Sequence, residues 1–209
     1  VNALVERLGR DRFLPVAVLD TPGDAVPLVE GLAAGGLGLV EVTLRSAAGL
    51  PGLALVAGRT DVLVGAGTVL TVAQVDAVVA AGAAYVVTPG FSPAVVERCL
   101  ELGVPVLPGV ATPGEVMAAL ALGLDTVKLF PARELGGPAM VDALRGPFPG
   151  LRVVPSGGIT RDVAPDYLRR PGVLAVSGSW VTPRGPVSAE AVRQAARATV
   201  AHLSAGVDA

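Results

Sequence analysis

The chain holds one cysteine, one histidine and one lysine in 209 residues, and each scarcity removes a class of chemistry. A lone cysteine cannot close a disulfide within the chain, and one cysteine with one histidine cannot assemble the usual zinc site. Cys99 falls on the apolar side of a helical pattern and reads as core, while His202, near the end of the last helical stretch, reads as surface. Aromatics supply only 3% of the residues, so the core must be valine, leucine and alanine, which suits strands buried on both faces beneath helices. Arginines are scattered and the formal net charge is −2, leaving no basic footprint for a nucleic acid. Although 52% of the residues are hydrophobic, no run of about 18 escapes glycine, proline or charge, as a membrane-spanning helix requires. The first eleven residues carry Glu6, Arg7 and Arg10 inside an apolar pattern, unlike a secretion signal. The expectation is a soluble, cytoplasmic protein without a membrane partner.

Against that background the single lysine, Lys128, stands out, because the other fifteen cationic side chains are arginines. It lies in the apolar run Asp125-Thr126-Val127-Lys128-Leu129-Phe130-Pro131. A lysine amine, unlike a guanidinium, can give up its proton when buried, and a neutral amine forms Schiff bases with carbonyl compounds. The bland alternative is a strand-end lysine that snorkels to solvent.

One unit recurs: apolar strand, loop, amphipathic helix, glycine, next strand. The strand candidates are residues 14–18, 39–43, 63–66, 85–88, 106–108, 126–129, 152–155 and 174–177. Thr112-Pro113-Gly114-Glu115 reads as a capping box with proline at the first helical position, and Thr71 with Gln74 reads as a second box. Ser92-Pro93 and Thr21-Pro22 suggest two further helix starts. Gly82, Gly103 and Gly123 each fall where a helix should stop before a strand. Eight such units, with an extra helix over residues 2–9, predict an α/β fold, a (β/α)₈ barrel forming one catalytic domain over residues 1–209. A doubly wound open sheet is the alternative, but its Gly-x-Gly-x-x-Gly turn is missing after the first strand.

Barrel sites lie at the C-terminal ends of strands, on inward side chains. Strand alternation puts Glu41, Thr43 and Arg45 on one face of the second strand and Thr126, Lys128 and Phe130 on one face of the sixth. Glu41, flanked by Val40 and Val42, is costly to bury without a partner or a task. It reads as a general acid/base beside an amine nucleophile, or else as an ion-pair partner that only neutralises the interior. Arg45 offers a planar fork for a carboxylate or phosphate. Three strand ends are glycine-rich: Gly65-Ala66-Gly67-Thr68, Ser156-Gly157-Gly158-Ile159 and Ser177-Gly178-Ser179-Trp180. The last two suit a phosphate cup of backbone N–H groups that, with no arginine or lysine beside it, would rely on backbone dipoles and the Ser179 hydroxyl.

Assembled, these residues resemble the 2-keto-3-deoxy-6-phosphogluconate (KDPG) aldolase family, which includes 4-hydroxy-2-oxoglutarate (KHG) aldolase. The carriers are Ala34-Gly35-Gly36, Val40 to Arg45, Val64 to Val69, Thr88-Pro89-Gly90, Val127 to Ala132, Pro155 to Ile159 and Gly178-Ser179-Trp180. The resemblance implies a class I aldolase that needs no metal or other cofactor, acts on a phosphorylated 2-keto acid and assembles as a homotrimer. It implies Lys128 as Schiff-base lysine and Glu41 as general acid/base, with Arg45 and Thr68 holding the pyruvate carboxylate. Pro89, Phe130 and Pro131 then wall the pyruvyl group, Gly157, Gly158, Gly178 and Ser179 form the phosphate end, and Ser156 is a further substrate-binding residue. There are departures from the family pattern: Ser156 for threonine, Ser177 for glycine, Thr88 for serine, and Leu19-Asp20 where many relatives carry a basic residue. Substrate alternatives are 4-hydroxy-2-oxoglutarate and the galactonate-type epimer of KDPG. Alternatives of other kinds are a non-catalytic phosphosugar-binding barrel and a related isomerase or epimerase.

Overall fold

Short valine- and leucine-rich runs fold as strands, glycines end the helices between them, and the alternation persists through residues 3–207, the part that the computed structural model describes. The strands are β1 (Phe13–Ala17), β2 (Leu39–Thr43), β3 (Leu63–Gly67), β4 (Val86–Val87), β5 (Val106–Leu107), β6 (Gly109–Val110), β7 (Thr126–Leu129), β8 (Arg152–Pro155) and β9 (Val176–Gly178). The helices are α1 (Ala3–Asp11), α2 (Ala25–Ala34), α3 (Gly49–Val56), α4 (Val72–Ala80), α5 (Pro93–Glu101), α6 (Pro113–Ala121), α7 (Pro138–Arg145), α8 (Ala164–Leu168) and α9 (Ala189–Val207). Every pairing between these strands is parallel, in the orders β5-β4-β3-β2-β1-β9 and β6-β7-β8.

The two ladders join into one ring. β5 and β6 are a single pass of chain interrupted at Pro108, which has no N–H to give to a ladder. Its carbonyl accepts from Lys128 N at 2.8 Å, while Gly109 N turns aside to the Thr88 hydroxyl at 3.0 Å. The expected strand over 106–108 therefore ends at Leu107, and a second short strand follows from Gly109. At the other seam, parallel bridges Val153–Val173 and Ser156–Ser177 join β8 to the β9 segment. The result is a (β/α)₈ barrel preceded by a helix, with most strand limits within one or two residues of the expected ones.

Helix ends follow local chemistry. Glu115 N donates to Thr112 Oγ1 at 3.3 Å and Thr112 N to Glu115 Oε2 at 2.9 Å, the reciprocal box that opens α6. At α4 only half of it forms: Gln74 N donates to Thr71 Oγ1, but the Gln74 side chain accepts from Leu70 N instead. Thr21-Pro22 opens a 3₁₀ turn ahead of α2, and Ser92 precedes α5 without a side-chain cap bond. Gly82 adopts φ +90°, with Gly82 N donating to Val79 O and Ala83 N to Val78 O, which satisfies the last carbonyls of α4.

Two cores result. Val40, Val42, Val64, Ala66, Val127, Leu129 and Val153 face outward into the helical layer, which also buries Cys99 and pushes its thiol up to about 11. Leu14, Leu39, Tyr85, Val87, Leu107, Val154 and Ala175 face inward, and Leu4 and Leu8 of α1 close this inner core from below. Burial of each of those two leucines contributes about 1.5–3 kcal/mol, so α1 serves as the barrel's floor. The expected helix over 2–9 is α1, although Asn2 lies outside the described residues. His202 is half-buried rather than on the surface, its Nε2 3.1 Å from the Arg161 carbonyl. Among the described residues no helix is long and apolar enough to cross a membrane.

Candidate active site

Lys128 and Glu41 come from strands on opposite sides of the ring and meet inside it. Lys128 Nζ lies 3.4 Å from Glu41 Oε1 and 3.5 Å from Oε2, with Lys128 3% exposed and Glu41 not exposed at all. Burying both charges is expensive, and a pair this loosely spaced recovers only part of that expense. Nζ also stands 5.6 Å from the Phe130 ring centroid. The amine is thus shielded from bulk solvent yet not clamped in a tight bridge.

Room for Glu41 is carved by β3. A Cβ on Gly67 would fall 2.1 Å from Glu41 Oε1, and one on Gly65 would fall 2.2 Å from the Tyr85 ring. The glycines of Gly65-Ala66-Gly67 therefore alternate inward within β3 because a carboxylate and a phenol ring fill the space. Tyr85, not recognised from the sequence, donates its hydroxyl to Val40 O at 2.6 Å. Burial, then the negative charge of Glu41, hold that phenol well above its ordinary range. Gly67→Ala is expected to displace the Glu41 carboxylate, lower stability by about 1–3 kcal/mol through overpacking and depress turnover. Urea unfolding and a steady-state assay read the two effects, and parental values in both would mean that Glu41 has room to spare.

Above the pair, at the C-terminal mouth, lies a cavity of about 580 Å³. Of the residues singled out in the sequence, Arg45, Thr68, Pro89, Phe130, Ser156, Gly157, Gly158, Gly178 and Ser179 line it. Lys128 and Glu41 sit one inward position deeper than Phe130 and Thr43 on the same strands. Pro131 lies behind Gly157 and outside the lining.

Arg45 Nε donates to Thr68 Oγ1 at 3.2 Å, and Thr68 holds φ +59°, unusual for a β-branched residue. Backbone held in this region concentrates at functional sites, and here it sets a hydroxyl beside the guanidinium. Across the mouth, Gly157 and Gly158 take φ +94° and +70° in succession, which bares their peptide edge to the cavity. Gly178 is dictated by space: Trp180 folds back so closely that a Cβ would meet its ring at 2.1 Å. The indole stacks at 4.2 Å on Phe13 and donates to Thr199 Oγ1 at 3.0 Å, anchoring the loop that presents Ser179.

Several lining residues were not predicted as site residues: Val16, Val18, Ile159, Ser177, Thr182 and Arg184. Arg184 corrects the expectation of a glycine end without a cation. Its Nη2 lies 2.6 Å from Asp20 Oδ1. Among the described residues no cluster of histidine, cysteine or carboxylates is placed to hold a metal ion.

Comparison with known proteins places these features in context. The sequence pattern of the aldolase family described as KDPG and KHG aldolase matches residues 4–198. The 2-dehydro-3-deoxy-phosphogluconate aldolase of Treponema pallidum is 46% identical over 187 residues, covering 89% of this chain and 89% of that protein. Among solved structures, the 2-keto-3-deoxy-6-phosphogluconate aldolase of Zymomonas mobilis ZM4 with 3-phosphoglycerate superposes with a TM-score of 0.90. It is 36% identical, over 96% of this chain and 97% of that one. The KDPG aldolase of Legionella pneumophila, with pyruvate captured as a covalent carbinolamine intermediate, gives a TM-score of 0.87 at 34% identity, over 93% of this chain and 97% of that one.

Proposed function

The chain belongs to the KDPG and KHG aldolase family, and on that footing we propose that it is a class I lyase cleaving KDPG reversibly to pyruvate and glyceraldehyde 3-phosphate. The observation that carries the chemistry is the buried amine of Lys128 within 3.5 Å of both Glu41 oxygens, beneath the cavity at the barrel mouth. Lys128 attacks the C2 carbonyl, and loss of water from the carbinolamine leaves an iminium. Glu41, through a water, takes the C4 hydroxyl proton. The C3–C4 electron pair passes into the iminium, giving an enamine and releasing the aldehyde. Glu41 is near enough to Nζ to move protons in the carbinolamine steps as well. Protonation at C3 and hydrolysis then free pyruvate and restore the amine.

Arg45 and Thr68 hold the carboxylate, Pro89 and Phe130 flank the pyruvyl group, and the Ser156-Gly157-Gly158 and Gly178-Ser179 turns take the phosphate. The pyruvate carbinolamine of the Legionella enzyme and the 3-phosphoglycerate of the Zymomonas enzyme support a site with a covalent end and a phosphate end. The family description also covers KHG, and 4-hydroxy-2-oxoglutarate would use the same amine with a carboxylate at its far end. In this reading residues 1–209 act as one cytoplasmic catalytic domain and assemble as a homotrimer, which a solution mass measurement reads. The exposed side chains of Met117 and Leu120, one turn apart on α6, support a surface of that kind.

Sodium borohydride added with pyruvate is expected to leave a stable adduct on Lys128, seen as added mass on the peptide containing it. A protein that emerges unmodified would end the Schiff-base reading.

A further inference from the structure

We propose that Arg184 is the cation that receives the substrate's phosphate, with Asp20 as the residue that positions it. This rests on the reading of the protein as a KDPG aldolase and adds a recognition element to it. KDPG carries an anion at each end, and two guanidinium groups line the cavity, Arg45 beyond β2 and Arg184 beyond β9, on either side of β1. Arg45 is tied to Thr68 on the flank of the ring that also carries Glu41, where the keto-acid end must lie for Lys128 to reach C2. That leaves Arg184 for the other end. It shares the wall there with Gly157, Gly158, Gly178 and Ser179, whose backbone can approach an anion but supplies no net charge.

Asp20 holds this arrangement with both carboxylate oxygens. Oδ1 lies 2.6 Å from Arg184 Nη2, and Oδ2 accepts from Gly185 N at 2.7 Å, so the turn beyond β9 is tethered to the turn beyond β1. An exposed ion pair of this kind adds little to stability. Its effect is to fix where the remaining guanidinium N–H groups stand. A second observation points to a polar ligand in the same wall. Ser177 borders the cavity and is 1% exposed, and its buried Oγ has no hydrogen-bond partner among the described residues. Buried hydroxyls are nearly always paired, and a phosphorylated tail supplies the missing partner.

The test compares kcat/KM for KDPG with that for 2-keto-3-deoxygluconate, the same keto acid without phosphate. Arg184→Ala is expected to lower the ratio of the two about tenfold or more, as loss of a charge-assisted hydrogen bond does, mainly through KM for KDPG. Asp20→Ala lowers the ratio less and in the same sense, and Arg184→Lys recovers part of the loss. An unchanged ratio in Arg184→Ala, with borohydride and pyruvate still labelling both proteins, overturns the assignment of Arg184 while leaving the aldolase reading intact. An unchanged or higher ratio in Asp20→Ala overturns the positioning role. Absence of labelling in the parent protein sinks both readings.

Discussion

Lys128→Met is expected to abolish turnover, with kcat falling by on the order of 10⁴-fold or more, as removal of a covalent nucleophile does. The chain contains no second lysine, and a guanidinium cannot replace an amine as nucleophile. Borohydride with pyruvate should then leave no adduct. The same substitution carries a stability signature, because it strands the fully buried Glu41 without its counter-charge. Breaking a buried pair in this way costs about 3–5 kcal/mol, so Tm should fall. Lys128→Met combined with Glu41→Gln removes both charges and should recover much of the lost Tm while remaining inactive. A single variant that keeps more than a hundredth of the parental kcat would place the nucleophile elsewhere.

Glu41→Gln is the complementary experiment. The amide keeps the shape of the side chain in the space left by Gly67 but cannot relay protons. We expect kcat to fall about 10²-fold or more, the range of a lost general acid/base, while Lys128 still accumulates adduct with pyruvate and borohydride over long incubation. Adduct without turnover separates the nucleophile from the proton carrier. Turnover near the parental rate would hand proton transfer to another group, leaving Glu41 as a counter-ion.

How much of this could be read from residues alone depended on distance along the chain. The α6 capping box and the glycine stop at Gly82 were legible because their partners lie within a few residues. Lys128 and Glu41, 87 residues apart, were legible for another reason: strand alternation in a closed barrel sends both side chains inward. Arg184 escaped notice because a Pro-Arg-Gly-Pro turn has no periodicity, and its place depends on Asp20 at the opposite end of the sequence. Asp20 stands after the first strand where a basic residue is expected, and Arg184, from the turn beyond the last strand, lies beside it. Gly65 and Gly67 were visible as glycines, but their reason, the bulk of Tyr85 and Glu41 on neighbouring strands, required knowing which side chains meet across the ring. The interruption at Pro108 follows from its missing N–H, a local effect that the surrounding apolar run conceals.

The leucines of α1 that stopper the barrel from below also bear on the order of traffic. With Leu4 and Leu8 closing that end and the cavity lying at the other, the route to Lys128 among the described residues is the upper opening. On the proposed chemistry the aldehyde half lies nearer the exit and the pyruvyl half is still bonded at depth when the carbon chain parts. Glyceraldehyde 3-phosphate therefore leaves first and pyruvate last, and in the synthetic direction pyruvate has to be seated before the aldehyde can follow.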